Sequence, residues 1–328
     1  RASNRVFVGL PLCRNGDYLK VMIETAVSCI DTAKTINGYP EFMRPLVGRL
    51  LSKTGERKEK IVEFLKDVVD DRLKLAPEDR PDDYVSWLLN NAPPEEQNVG
   101  DIALRVIGTN FAAIHTSSMN ITQAIYWLLA RPEYIAPLRE EIEEVTSKMG
   151  WTKNAIGSMP KLESFMKECM RMTPLGPQTM NRKVLKPFTF SNGVSVPVGA
   201  TVGIHLYATH QDPKIYPEPE SFNGFRFVET EKEGASDENF AVTKSRTSMY
   251  ASSPTYLPFS YGRHACPGRF FAAMELKLLF AMLVNNYDMK WPEAVSNGRD
   301  GYRPADVWSF GGLSPDPTAR ILIRERKA

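Results

Sequence analysis

Residues 256–275 read YLPFSYGRHACPGRFFAAME, and the rest of the chain is best understood outward from them. Within this stretch Phe259, Gly262, His264, Cys266 and Gly268 form the spacing F-x-x-G-x-H-x-C-x-G, followed directly by an apolar helical run. A glycine at 262 permits a tight turn that a side chain would block. Gly268 lets the backbone come close to a bulky partner, and Phe259 can pack beside the loop and exclude water. The helix that starts after Pro267 aims its N-terminal amides and dipole back at the sulfur, an arrangement that favours a thiolate. Cys266 is therefore a candidate metal ligand. The alternative is an inert cysteine in a glycine-rich turn.

On these residues the stretch resembles the haem-binding loop of the cytochrome P450 family, with Cys266 in the position of the axial thiolate. His264 departs from the family pattern, which usually has Arg there. The resemblance implies haem b bound axially through Cys266, with Phe259, Gly262, His264 and Gly268 around it. A thiolate ligand pushes electron density onto the iron and favours O–O cleavage.

The remaining composition constrains the alternatives. The chain has 328 residues, 42% apolar and 24% charged, which is a globular balance with ample material for a core. A net charge of +2 gives no global attraction to nucleic acid. Four cysteines, Cys13, Cys29, Cys169 and Cys266, are too scattered for a disulfide framework, and no paired Cys or His spacing suggests zinc. No run of about 18 apolar residues marks a membrane span, and no signal peptide is evident. Eukaryotic members of the family carry an N-terminal membrane anchor and are longer. The sequence is accordingly expected to be the C-terminal portion of a longer protein.

Residues 99–130 predict one helix of unusual length, uninterrupted by proline and stopped before Pro132. About 30 residues at 1.5 Å each would cross a small domain. Small and hydroxyl residues cluster at Ala112-Ala113-Ile114-His115-Thr116-Ser117. This segment resembles the family's oxygen-activation motif. The resemblance implies that Ala112 and Ala113 leave room above the iron and that Thr116 bonds dioxygen or its water and locally opens the helix. His115 stands where the family more often has an acid. A Thr bonded to its own helix carbonyl is the plainer reading of Thr116.

Elsewhere, helices are expected over 17–37 (capped by Asp17), 40–51, 56–74, 84–90, 133–148, 159–172 (capped by Ser158) and 270–287, with residues 1–14 short and mixed. In the 159–172 helix, Glu168 and Arg171 stand at i and i+3 and can pair. By resemblance they form a buried cluster with Arg226 that holds the haem loop. Asn192-Gly193 within 178–207 signals a hairpin. Arg182, just before it, matches a propionate-contacting position, and Leu175 to Thr179 a substrate-contacting one. His205 and His210 suit turn or core roles better than a metal. Residues 228–253 suggest a surface loop, and Trp308 to Gly312 with the segment ARILIRER a final strand pair.

The expected fold is mainly α with a smaller β portion: one partial cytochrome P450 domain over 1–328, lacking its N-terminal section. The resemblance implies a monooxygenase of fungal type that inserts one oxygen atom into a small apolar substrate, a terpenoid or other secondary metabolite. NADPH would supply electrons through NADPH-cytochrome P450 reductase, at the cytosolic face of the endoplasmic reticulum membrane. Two alternatives are a haem-thiolate enzyme that rearranges its substrate without external electrons, and a fragment that does not hold haem.

Overall fold

The computed structural model describes residues 1–228, 247–296, 301–309 and 312–326. The structure is mainly α-helical, with short two-stranded antiparallel sheets among the described residues. It divides into two compact units, Arg1–Ser117 and Ser118–Ala328. No described helix is long and apolar enough to cross a membrane.

The first unit contains α1 (Ala2–Phe7), α2 (Gly16–Asn37), α3 (Arg44–Leu51), α4 (Thr54–Leu73), α5 (Tyr84–Asn91) and the first part of α6 (Val99–Ala130). Residues 1–14, short and mixed in sequence, hold a helix and a 3-10 turn at Leu12–Arg14. Asn15, not Asp17, caps α2: its side chain accepts from the Tyr18 amide at 3.0 Å, because the helix starts one residue earlier than its charge pattern suggests. The apolar stripe of α4 turns Ile61, Leu65 and Val69 fully inward, as helical periodicity requires. Asn4 is a buried polar hub, donating to Asn110 on α6 and accepting from the Tyr18 hydroxyl. Arg72 and Asp83 form a buried ion pair, and Asp83 also caps α5 through the Ser86 amide.

The second unit holds the rest of α6, then α7 (Ile135–Met149), α8 (Lys153–Gly157), α9 (Pro160–Met172), strands β1 (Gln178–Lys183), β2 (Phe188–Thr189), β3 (Ser195–Val196) and β4 (Thr201–His205), α10 (Leu206–His210) and α11 (Arg269–Asn286). Its core is apolar side chains from α6, α7, α9 and α11, among them Leu128, Leu138, Ile142, Phe165 and Phe280. Phe165 and Phe280 stack at 5.4 Å, which fixes α9 against α11. Ser158 does not cap α9. It closes the unanticipated α8, its hydroxyl donating to the Asn154 carbonyl. The first amides of α9 are instead met from α7, where the two oxygens of Glu141 accept from Lys161 and Leu162 at 2.8 Å each. Burial pushes the Glu141 carboxyl above the usual range, against the pull of those two amides.

The hairpin at Asn192-Gly193 joins β2 to β3, while β1 pairs with β4 around it. The β1–β4 register shifts between Thr179 and Arg182, where Met180 adopts φ +57°. Such bulges redirect a strand locally. The final strand pair is not formed as expected. β6 (Val307–Ser309) pairs with β7 (Gly312–Ser314), and β8 (Leu322–Glu325) pairs instead with β5 (Tyr287–Lys290), which continues directly from α11. Pro315 and Pro317 lack the donors a continuing strand needs, so the chain leaves β7 and pairs again elsewhere. Most of the anticipated 228–253 loop and the residues 310–311 lie outside the described residues.

Candidate active site

The Cys266 loop is built on a sequence of short-range bonds. The Ser260 amide donates to Leu257 O at 2.9 Å, closing a turn, and the Cys266 amide donates to Phe259 O at 2.9 Å. Two residues in it occupy the left-handed region, Ser260 at φ +62° and Gly262 at φ +73°. Glycine accepts that conformation freely; serine does so at a cost of order 1 kcal/mol or more that the surrounding structure must impose. Gly262 leads into a 3-10 turn, Gly262–His264, whose His264 is exposed. Phe259 is half-buried and packs against the core of the second unit. Cys266 is a free, half-buried thiol, and its carbonyl accepts from the Arg269 amide and guanidinium at the start of α11. A Cβ placed on Gly268 would meet the sulfur at 4.0 Å.

Behind this loop lies a fully satisfied buried charge cluster. The Glu168 carboxylate accepts from Arg171 Nε at 2.7 Å and Nη2 at 2.8 Å, from Arg226 Nε at 3.1 and 3.2 Å, and from the Asn223 amide at 3.0 Å. Glu168 and Arg171 are both 0% exposed. Arg171 Nη1 donates to the carbonyls of His210 and Pro219 at 2.6 and 2.8 Å, and the guanidinium lies over the Tyr216 ring at 5.0 Å. Arg226 also donates to the carbonyls of Pro217, Glu218 and Ser221. One carboxylate thus gathers α9 and the segment 217–226, with each charge hydrogen-bonded as a buried ion pair demands. Gly224 makes the approach possible, since a Cβ there would fall 2.8 Å from Phe165 and 2.9 Å from Tyr134.

A second buried group braces the same region, and sequence reasoning missed it. Glu163 on α9 accepts from Lys277 on α11 at 2.8 Å and from the Met249 amide at 2.9 Å. Lys167 sits between the Phe227 and Tyr256 rings, 4.6 Å from each centroid, and donates to the carbonyls of Thr247 and Ser248. Burial lowers its pKa to about 8. The available signal was Lys277, with Glu275, standing inside a largely apolar helical run, where a buried charge requires a partner.

In the first unit, Ala112, Ala113, His115 and Thr116 share neighbouring turns of α6. The helix stays regular through them, so the expected local opening is absent. Thr116 Oγ1 donates back to Ala112 O at 2.6 Å, which satisfies the hydroxyl without breaking the ladder. Ala112 and Thr116 are nonetheless exposed, while His115 turns its Nε2 into a buried position with no hydrogen-bond partner among the described residues. Arg182, on exposed β1, donates to the carbonyl of its neighbour Asn181. Leu175 O accepts from the Leu313 amide on β7, which brings the 175–179 segment against the β6–β7 hairpin. His205 Nδ1 accepts from the Ala208 amide and caps α10.

The second unit therefore presents the half-buried Cys266 sulfur on a hydrogen-bonded glycine loop. No group of three or more His, Cys, Asp or Glu suited to a metal occurs among the described residues. An iron held by Cys266 would need its other ligands from a prosthetic group, and a free thiol flanked by Gly262 and Gly268 fits the face of a haem.

The chain belongs to the cytochrome P450 family: the family model described as Cytochrome P450 matches residues 3–300. It is 40% identical over its full length to cytochrome P450 monooxygenase 71 of Postia placenta. It is 34% identical over 99% of its length to ent-kaurene oxidase P450-4 of Gibberella fujikuroi. It spans 64% and 63% of those proteins' lengths, respectively. Two solved structures share the fold. One is a retinoic acid-bound cyanobacterial CYP120A1, at TM-score 0.68 and 20% identity, over 99% of this chain and 66% of that one. The other is the cytochrome P450DA heme domain, at TM-score 0.70 and 19% identity, over 99% of this chain and 65% of that one.

Proposed function

We propose that the protein to which this chain belongs is a haem-thiolate monooxygenase that inserts one atom of dioxygen into a small apolar substrate of terpenoid or similar secondary-metabolite type. The observation that carries this is Cys266, a free half-buried thiol in a glycine turn immediately before α11. Relatives named as monooxygenases and ent-kaurene oxidases support the reaction and the substrate class. Residues 1–328 would be part of one cytochrome P450 domain. Electrons would come from NADPH through NADPH-cytochrome P450 reductase, at the cytosolic face of the endoplasmic reticulum.

Haem b, when bound, supplies the iron at which dioxygen is reduced and cleaved. Cys266 would hold the iron, with Phe259 shielding the sulfur from water and Gly262, His264 and Gly268 shaping the loop around it. Arg182 would pair with a propionate. Ala112 and Ala113 would leave space for substrate and oxygen. Thr116 carries a hydroxyl that can donate or accept, and releasing its bond to Ala112 O frees it to hold a proton for delivery. His115 has a ring nitrogen without a partner among the described residues, and an imidazole can both donate and accept a hydrogen bond.

His115 also supports the second possibility, a haem-thiolate enzyme that rearranges substrate without external electrons, because the acid usual at that position is absent. Turnover that depends on NADPH and reductase selects the monooxygenase; turnover without either selects the rearrangement. The central test is the carbon monoxide difference spectrum of the reduced protein. A thiolate-type band that disappears in Cys266→Ser is expected. An unchanged band in that variant overturns the assignment.

A further inference from the structure

His210 is 0% exposed, ends the short helix α10, and has no place in the chemistry outlined above. Its two ring nitrogens have different partners. Nε2 accepts from the Leu257 amide at 3.2 Å, so it must carry a lone pair. Nδ1 then carries the hydrogen and donates to the Arg171 carbonyl at 3.1 Å. The His210 carbonyl in turn accepts from Arg171 Nη1 at 2.6 Å. The ring is stacked on Tyr256, 5.6 Å between centroids and 14° between planes, and the Tyr256 hydroxyl donates to Lys167 O. One neutral imidazole thus spans from the Arg171 carbonyl to the residue where the Cys266 loop begins, while the Arg171 side chain holds the His210 backbone.

Leu257 is the fixed end of that loop. It is buried, its carbonyl closes the turn with the Ser260 amide, and the next bond, from Cys266 to Phe259 O, sets the sulfur. The left-handed Ser260 lies between these two bonds and needs both to stay in place. We infer that His210 is a positioning residue for the thiolate loop, transmitting the placement of the Glu168–Arg171 cluster to the Leu257 amide and so to Cys266. This rests on the assignment of Cys266 as the haem ligand and adds a residue that assignment does not include. Neither charge nor metal binding is involved: burial holds the ring neutral, its pKa lowered to about 4, so donor and acceptor roles stay fixed at neutral pH.

The test uses the protein purified with its haem and compares His210→Gln, His210→Asn and His210→Phe. Gln extends an amide oxygen to the position of Nε2 and retains an acceptor for Leu257. Asn retains only a donor near Nδ1, and Phe retains neither. The first readout is hydrogen exchange at the Leu257 amide, which does not depend on turnover. Exchange should accelerate about tenfold or more in the Asn and Phe variants and stay near wild type in Gln, since one net hydrogen bond corresponds to about a tenfold opening equilibrium. The second readout is the thiolate-type fraction of the carbon monoxide band, which should fall in Asn and Phe and recover in Gln. Unchanged Leu257 exchange in His210→Asn, or equal loosening in Gln and Phe, overturns the inference. Cys266→Ser separates the two claims: retention of the thiolate band there refutes the haem assignment, while the exchange result still decides the role of His210.

Discussion

Replacing Arg171 by alanine removes a guanidinium with no exposed surface and four well-placed hydrogen bonds. Two of these neutralise Glu168, and two satisfy the His210 and Pro219 carbonyls. Glu168 keeps Arg226 and the Asn223 amide, so it is not left wholly uncompensated. Breaking a buried pair from one side costs about 3–5 kcal/mol. The two orphaned carbonyls place the loss at the upper part of that range, because each unsatisfied buried acceptor costs about 1–3 kcal/mol and the contributions overlap. The folded-to-unfolded ratio should fall by about two to four orders of magnitude. Arg226→Ala removes a partner that is 13% exposed in its side chain, so its cost should be nearer about 1–3 kcal/mol. Arg171→Lys keeps the charge but loses the fork that reaches carboxylate and carbonyls together, and should fall between wild type and Ala. Equilibrium urea unfolding of the haem-loaded variants, with haem retention measured in parallel, checks these values. The double variant Arg171→Ala/Arg226→Ala should lose less than the sum of the singles, since both serve one carboxylate. A loss below about 1 kcal/mol for Arg171→Ala, or full haem retention with only turnover reduced, refutes a structural role for the cluster.

Stability should also depend on pH through His210. Its pKa is lowered from 6.5 to about 4, chiefly by burial; the hydrogen bond to the Arg171 carbonyl opposes this and the Arg171 guanidinium adds to it, with the Tyr216 and Tyr256 rings packed against the imidazole. The unfolded state therefore binds the extra proton first. The contribution is complete above pH 6.5 and is lost as pH falls towards 4, amounting to about 3 kcal/mol; His210→Gln should flatten that part of the profile measured by urea unfolding. For Thr116→Ala, product formed per NADPH consumed should drop with release of peroxide, and full coupling would remove the oxygen-handling role. For His115→Ala, loss of coupling is expected for a proton carrier, whereas unchanged coupling makes His115 a packing residue.

Helices were legible in the sequence because their apolar spacing is local. Ile61, Leu65 and Val69 point inward where periodicity puts them, and Pro132 stops α6 where proline must. The i, i+3 spacing of Glu168 and Arg171 was equally local. Caps were less so: Asn15 and Asp17, or Ser158 and Glu141, compete as acceptors, and only the helix start or a neighbouring helix decides among them. Strand pairing was the least legible part, because β8 finds β5 across 36 residues or so, as its Arg324–Asp288 contact shows, and no local pattern encodes a partner at that distance. His210 and Lys277 were visible as residues but not as contacts. Their partners lie 47 and 114 residues away, respectively.

Those separations have a consequence for how the chain is made. Glu168, Arg171, His210 and Arg226 all precede the Cys266 loop, and the bonds among them are complete without it. A chain emerging from its N-terminal side can therefore assemble this platform before Leu257 or Cys266 has been synthesised. The left-handed Ser260 follows in the loop that Leu257 ties to His210. In biosynthetic order, the Cys266 sulfur is thus made after the residues of the platform that its loop is tied to.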